Sequence, residues 1–166
     1  MERQPEHPLV PDFGGNYGYY VGAKYERLDV AEIAKRLRKE IKVAISSGKI
    51  PAVKCSVKIS RFAGGRSLDI RVKEVPEGFA FLNPERVWLE KENPHDYSGH
   101  YHHPIYTDGG KELLACLEDM GNAYRYDRSD SQTDFFNTNF YFHVAFDGDL
   151  ERATREKILA DVRPVI

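Results

Sequence analysis

Three histidines fall within four residues of one another in the segment GHYHHP, residues 99–104. In an extended segment His100 and His102 point to the same side, as two ligands of one zinc ion must. The spacing matches neither H-E-x-x-H nor paired C-x-x-C motifs, so we expect no cofactor and keep zinc binding as an alternative. The residues that could complete such a site are His143, Asp96 and Cys55.

An acidic loop offers a second group of possible ligands. Asp127, Asp130 and Asp134 alternate there with serine and threonine, and oxygen ligands at short spacing suit calcium or magnesium. The loop lacks the central glycine and the terminal glutamate of an EF-hand. We therefore expect these side chains to cap backbone amides in a polar turn.

The chain shows none of the usual motifs of nucleophilic or nucleotide chemistry. G-x-S-x-G, the P-loop and G-x-G-x-x-G are all missing. Cys55 and Cys116 form no paired motif, and Cys55 falls on the apolar side of a predicted strand, where a thiol is normally inert. Two unpaired cysteines suit a reducing cytoplasm. These observations favour a protein that is not an enzyme.

Basic side chains form the third candidate site, in two groups that one surface cannot hold together if the first helix covers the sheet. The helix stripe contains Lys35, Lys39 and Lys42, with Arg38 beside them; the polar strand face contains Lys54, Lys58 and Arg71, with Lys73 beside them; and Arg61 and Arg66 lie in the loop between the strands. The loop arginines would bridge the groups at an edge. Either the groups bind phosphates or they are simply solvated.

Aromatic residues supply a further possible contact surface. Tyr17 and Tyr19 alternate with glycines near the start of the chain, and Phe62 lies near the tip of a predicted hairpin. Such rings either pack on the core or form a binding arm. We include all three among the candidate binding residues.

Hydrophobic periodicity predicts the elements that position these residues. Apolar residues recur at helical spacing over 29–46 with Asp29 as the N-cap, and strict alternation over 53–60 and 67–73 predicts a hairpin around Gly64 and Gly65. The remaining predictions are an irregular stretch over 76–104, a helix over 109–124, a strand over 139–146 and a short helix over 150–162.

This order, α-β-β-(irregular)-α-β-α, indicates an α+β fold in which an antiparallel sheet is covered by helices mainly on one face. Residues 1–24 are predicted to be a Pro-, Gly- and Tyr-rich irregular lead-in, and residues 25–166 a single domain. The 166 residues are 41% hydrophobic and 30% charged, an ordinary globular composition. No apolar run is long enough for a membrane helix, and no apolar leader opens the chain, so we expect a cytoplasmic protein without membrane contact.

Charge is distributed unevenly along the chain. Residues 1–75 contain 15 Lys and Arg against 9 Asp and Glu, whereas residues 76–166 contain 9 against 17, for a net charge of -2. Either the two halves neutralise each other in the fold, or each presents its charge to a partner.

Two stretches of the chain resemble one known family when they are taken together. The hairpin sequence KCSVKISRFAGGRSLDIRV (54–72) follows an amphipathic helix, and YRYDRSDSQTDFF (124–136) leads into NFYFHV (139–144). This arrangement resembles the large polyvalent protein-associated domains of bacteriophage and conjugative-element proteins, over roughly residues 25–146. The resemblance implies an accessory protein of a mobile element in a bacterial host, and it implies no catalytic residue.

The sequence thus predicts a non-enzymatic binding module of a phage or mobile genetic element. A host protein is the expected partner, in an accessory or anti-defence role. One alternative is a nucleic-acid-binding protein that uses the basic helix and strand face. The other is a small metal-dependent enzyme, such as a nuclease, built on the His100–His103 cluster.

Overall fold

The structure, a computed structural model, describes residues 20–95, 97, 102–129 and 137–163. These residues form an α+β fold, as predicted, with one three-stranded sheet, one two-stranded sheet and four helices. The elements in chain order are β1 (Tyr20–Val21), α1 (Val30–Ser46), β2 (Lys54–Phe62), β3 (Gly65–Glu74), α2 (Pro84–Glu92), α3 (Asp108–Asn122), β4 (Tyr126–Asp127), β5 (Tyr141–Phe146) and α4 (Gly148–Ala160).

Helix α1 forms as its periodicity predicts. The Asp29 carboxylate accepts a hydrogen bond from the Ala31 amide and caps the helix, and Gly48 follows its end with φ +79°. The apolar stripe is buried against β2 and β3, with Leu37 fully buried at its centre. Arg38 reaches the edge strand, where its guanidinium donates to the Val57 carbonyl oxygen at 2.7 Å. This bond covers part of the sheet's free edge.

The hairpin is longer and tighter than predicted. Strands β2 and β3 pair in antiparallel register up to Phe62 and Gly65, which leaves only Ala63 and Gly64 as the turn. Gly65 has φ +147°, a conformation that side chains with a Cβ rarely adopt. Phe62 therefore ends β2 and does not lie in a loop.

The predicted third strand exists, but the sheet is not purely antiparallel. Strand β5 pairs with β3 in parallel, in the order β2-β3-β5. Parallel neighbours require a long crossover connection, and helices α2 and α3 lie in the part of the chain that joins β3 to β5. The prediction of an antiparallel sheet therefore holds for the hairpin and is wrong for the third strand.

The stretch predicted as irregular contains helix α2. Asn83 caps it by accepting from the Glu85 amide at 3.2 Å, and Pro84 occupies its first turn. Helix α2 packs against α4, and the Glu90 carboxylate of α2 accepts a hydrogen bond from the Arg155 guanidinium of α4 at 2.6 Å. The helix was missed because it is short and Val87 is its one buried residue.

Helices α1 and α3 both pack on one face of the three-stranded sheet. Thr107 caps the start of α3, because its hydroxyl accepts from the Gly110 amide at 3.1 Å, and α3 lies against β5. Gly121 of α3 touches the Phe142 ring so closely that a Cβ there would fall 2.1 Å from a ring carbon. The layer between these helices and the sheet is the core of the molecule.

The end of the predicted lead-in belongs to the sheet structure. Strand β1 pairs antiparallel with β4, and the Gly22 amide donates to the Arg125 carbonyl at 2.7 Å. The two-stranded sheet attaches this segment beside the end of α3.

Candidate functional site

The three-stranded sheet has one face that α1 and α3 do not cover, and we call it the open face. Alternation along the strands places polar, basic and aromatic side chains there, and none of them is buried. Its residues are Lys54, Ser56, Lys58, Ser60 and Phe62 from β2, Gly65, Ser67, Asp69, Arg71 and Lys73 from β3, and Tyr141, His143 and Ala145 from β5.

Two aromatic rings meet at one end of the open face. The rings of Phe62 and Tyr141 stack with centroids 6.0 Å apart and planes inclined by 26°. Gly65 lies between their strands, and a Cβ at that position would fall 3.4 Å from the Tyr141 ring. The missing side chain lets the two rings meet across the middle strand. Phe62 is 50% exposed, so an apolar ring surface faces solvent.

Cations occupy the rest of the open face. Lys58 and Arg71 form no ion pair with any described residue, so their charges are available to a ligand. At the far end Lys73 pairs with Asp147 at 2.8 Å, and Lys54 pairs with Glu74 at 3.0 Å. The hydrogen bond from Lys73 holds the pKa of Asp147 below its ordinary value.

The single acidic residue of the open face is held by a histidine. Asp69 lies 3.3 Å from Nδ1 of His143, its neighbour on β5. Lys58 of β2 lies opposite Asp69 on the other neighbouring strand, so Lys58, Asp69 and His143 form one row across the sheet. The row gives the centre of the face a polar, hydrogen-bonding character.

The two loop arginines of the sequence prediction point to the other side of the sheet. Arg61 donates to the Asp29 carboxylate at 2.9 Å, and Arg66 lies 3.6 Å from it. The hydrogen bond from Arg61 lowers the pKa of Asp29, with the Ala31 amide adding to the effect. Both arginines therefore flank the start of α1, and they do not bridge the basic groups as the sequence suggested.

The lysines of the helix stripe do not join the open face either. Lys35, Lys39 and Lys42 are exposed on α1, away from the residues that α1 buries against the sheet. The sheet and the helix thus separate this stripe from Lys58 and Arg71. The two basic groups are two surfaces, as the sequence predicted for a helix that covers the inner face.

The predicted metal ligands are placed only in part. His100 lies outside the described residues, His102 is exposed in the turn before α3, and His143 is on the open face. Nδ1 of the neighbouring His103 lies 2.9 Å from Glu85 of α2. Across the residues that the structure describes, no three His, Cys, Asp or Glu side chains are grouped as a metal ion would require.

The first aspartate of the acidic loop has the capping role that the sequence predicts. Asp127 accepts from the Ser129 amide at 2.9 Å and from Arg125 at 2.8 Å. The other two aspartates, Asp130 and Asp134, lie outside the described residues. Tyr17 and Tyr19 of the candidate binding arm lie outside them as well.

Cys55 is an unreactive thiol, as its position on the inner strand face predicts. Burial raises its pKa to about 11, so almost none of it is thiolate near neutral pH. Over the described ranges of the chain, the helices include none with the length and apolar character to cross a bilayer.

The Phe62–Tyr141 pair is the feature that sequence reasoning missed. The alternation of β5 already separates Tyr141 and His143 from the buried Phe142 and Val144. The missing information was the parallel pairing of β3 with β5, which brings Tyr141 beside the hairpin end.

The comparisons with known proteins identify no relative. No protein-family model, no curated protein and no solved structure matches the chain.

Proposed function

We propose that this protein is a non-enzymatic binding module whose open face binds single-stranded nucleic acid. The observation that carries the proposal is the stacked pair of the exposed Phe62 and the half-buried Tyr141, on the same face as Lys58 and Arg71, which form no ion pair with a described residue. Bases of a single strand stack on aromatic side chains, while a basic surface follows the phosphates. The open face offers both on one side of a sheet.

The local charge of the open face matters more for this binding than the overall charge of -2. Asp69 is the one acidic side chain among the face residues, and His143 engages it. Glu74 and Asp147 lie at the far end, where each pairs with a lysine. The phosphates of a strand lying across Lys58 and Arg71 therefore meet two cations and one carboxylate, Asp69.

A host protein, the partner expected from the sequence, is the second candidate for the same face. An exposed aromatic surrounded by polar residues is a common anchor in protein interfaces, and Phe62 has this setting. The accessory or anti-defence role in a phage or mobile element, which the family resemblance implies, is compatible with either partner and stays part of the proposal. The small metal-dependent enzyme, such as a nuclease, stays an alternative that rests on the His100–His103 cluster.

Fluorescence anisotropy with labelled single-stranded DNA and RNA, against a duplex of the same sequence, tests the proposal. We expect the single strands to bind more tightly than the duplex. Tyr141→Leu should weaken single-strand binding by about 5- to 150-fold, because loss of one base–aromatic stack costs about 1–3 kcal/mol. Thermal unfolding of each variant establishes that the fold is kept.

A matched pair of lysine variants separates the open face from the helix stripe. Lys58→Ala should weaken binding and reduce the salt slope by about 0.7, the contribution of one phosphate contact on a single strand. Lys35→Ala removes the same charge from α1 and should change neither. Equal effects of the two variants, or no binding to any strand, would contradict the proposal. Binding of a host protein that does not depend on salt and is lost in Phe62→Leu would favour the second candidate.

A further inference from the structure

A groove of about 730 Å³ runs between α1 and α3, on the helix layer and not on the open face. Small and apolar residues line it, including Ala44, Ala115, Cys116 and Met120. Val43 of α1 also faces the groove and is 58% exposed, so it adds apolar surface to the groove. The proposed nucleic-acid binding makes no use of this surface.

The two walls of the groove carry opposite charges. Lys39 and Lys49 line the wall that continues from α1, and Glu112 and Asp119 line the α3 wall. Glu40 also lines the α1 wall, where Lys24 pairs with it. By contrast, Lys39, Lys49, Glu112 and Asp119 form no ion pair with another described residue. The groove is therefore an apolar strip between a basic and an acidic border.

Helices α1 and α3 run in opposite directions along the groove. Glu40 accepts from the Tyr124 hydroxyl at 2.9 Å, which places the middle of α1 beside the end of α3, while the groove is lined from there to Lys49 on one side and back to Glu112 on the other. Lys39, the neighbour of Glu40, and Asp119, in the last turn of α3, therefore lie toward one end of the groove. Lys49, after the end of α1, and Glu112, near the start of α3, lie toward the other end.

We propose that the occupant of this groove is a second copy of the same chain. A two-fold axis along the groove places α1 of each copy over α3 of the other and preserves each residue's level. The basic border of one copy then faces the acidic border of the other, with Lys39 and Asp119 toward one end and Lys49 and Glu112 toward the other, and the two Val43 side chains are covered. One self-complementary arrangement thus pairs both charged walls and buries the apolar strip, which is the property of a two-fold interface.

Sedimentation equilibrium of the full chain over a range of concentrations tests this dimer. We expect the mass to approach twice 19.0 kDa as the concentration rises. Val43→Glu should weaken the association at least about tenfold, because it places a carboxylate in the apolar strip. The matched control is Lys42→Glu, which puts the same new charge on an exposed position of α1 that does not line the groove. It should leave the dimer intact.

A charge exchange tests the two-fold arrangement itself. Lys39→Glu and Asp119→Lys should each weaken the dimer, because each brings like charges together twice. The double variant should restore association, since both pairs re-form with their signs exchanged. A partner of different sequence would not follow this exchange.

Three results would overturn the proposal: a monomer at every concentration, a dimer that survives Val43→Glu, or a double variant as weak as the single ones. Binding of single-stranded nucleic acid by the Val43→Glu variant is measured in parallel, and we expect this variant to bind. Failure of the dimer is thereby distinguished from failure of the proposed function.

Discussion

At the scale of single residues, the Asp29 carboxylate joins the start of α1 to the end of the hairpin. It caps α1 through the Ala31 amide and receives Arg61 and Arg66 from the end of the hairpin. The hydrogen bond from Arg61 lowers the pKa of Asp29 most, and the bond from the Ala31 amide lowers it further. The start of the helix and the end of the hairpin are therefore held by the same carboxylate.

Replacement of Asp29 should change both the size and the pH dependence of stability. Asp29→Ala is expected to lower the free energy of unfolding by about 1 kcal/mol, the usual cost of a lost N-cap. Asp29→Asn keeps a capping oxygen and should cost less. Because the folded pKa is depressed, the contribution of the ionised group is present above its ordinary value of 3.8 and is lost as the pH falls through the folded value.

Urea unfolding at neutral and acidic pH measures this effect. Asp29→Asn should lose less stability than the natural chain on acidification, and Glu118→Gln, an exposed carboxamide control on α3, should follow the natural chain. If Asp29→Asn lost as much stability on acidification as the natural chain, the pKa of Asp29 would not be lowered in the fold.

At the scale of elements, local periodicity predicted the helices and strands whose formation depends on residues close together in the sequence. Helix α1 and the strand alternation of the hairpin required only the sequence around Asp29 and Gly64. The direction of β5 was not predictable in this way, because a long crossover and not the strand's own pattern decides whether it runs parallel to β3. The contact between Phe62 and Tyr141 was not predictable for the same reason, since the two rings become neighbours only through the pairing of β3 with β5.

The contact between α3 and β5 gives a prediction that opposes helix propensity. An exposed Gly→Ala change within a helix normally stabilises it by up to about 1 kcal/mol. Gly121→Ala should instead destabilise the fold by about 1–3 kcal/mol, because its Cβ would overlap the Phe142 ring. The control is Gly109→Ala in the same helix, whose Cβ would make an ordinary 3.6 Å contact with Phe79.

Thermal unfolding of the two alanine variants decides between these outcomes. We expect the melting temperature of Gly121→Ala to fall and that of Gly109→Ala to stay close to the natural value or rise. A Gly121→Ala protein as stable as the natural chain would mean that α3 is not seated so closely on β5.

At the scale of the whole molecule, the uneven charge of the sequence is not cancelled by pairing between the halves. Within the described ranges, ion pairs between residues 1–75 and residues 76–166 are confined to Lys73 with Asp147 and His143 with Asp69. The other pairs join residues of the same half. The basic half therefore keeps surface charge for a partner, at Lys58 and Arg71 on the open face.

The molecule also separates its two proposed contacts. The open face lies on one side of the three-stranded sheet, and the groove between α1 and α3 lies on the helix layer that covers the other side. A dimer through the groove would leave both open faces uncovered, one on each outer side.

The most direct test of the central claim is ultraviolet cross-linking of the full chain to a single-stranded oligonucleotide, followed by mass spectrometry of the linked peptides. Stacking brings a base against the ring that binds it, so the ring is the site of reaction. We predict nucleotide adducts on Phe62 or Tyr141, competed by unlabelled single strand and reduced in a Lys58→Ala, Arg71→Ala double variant. Adducts confined to the α1 stripe around Lys35, or no adduct under conditions where binding is measured, would contradict the account.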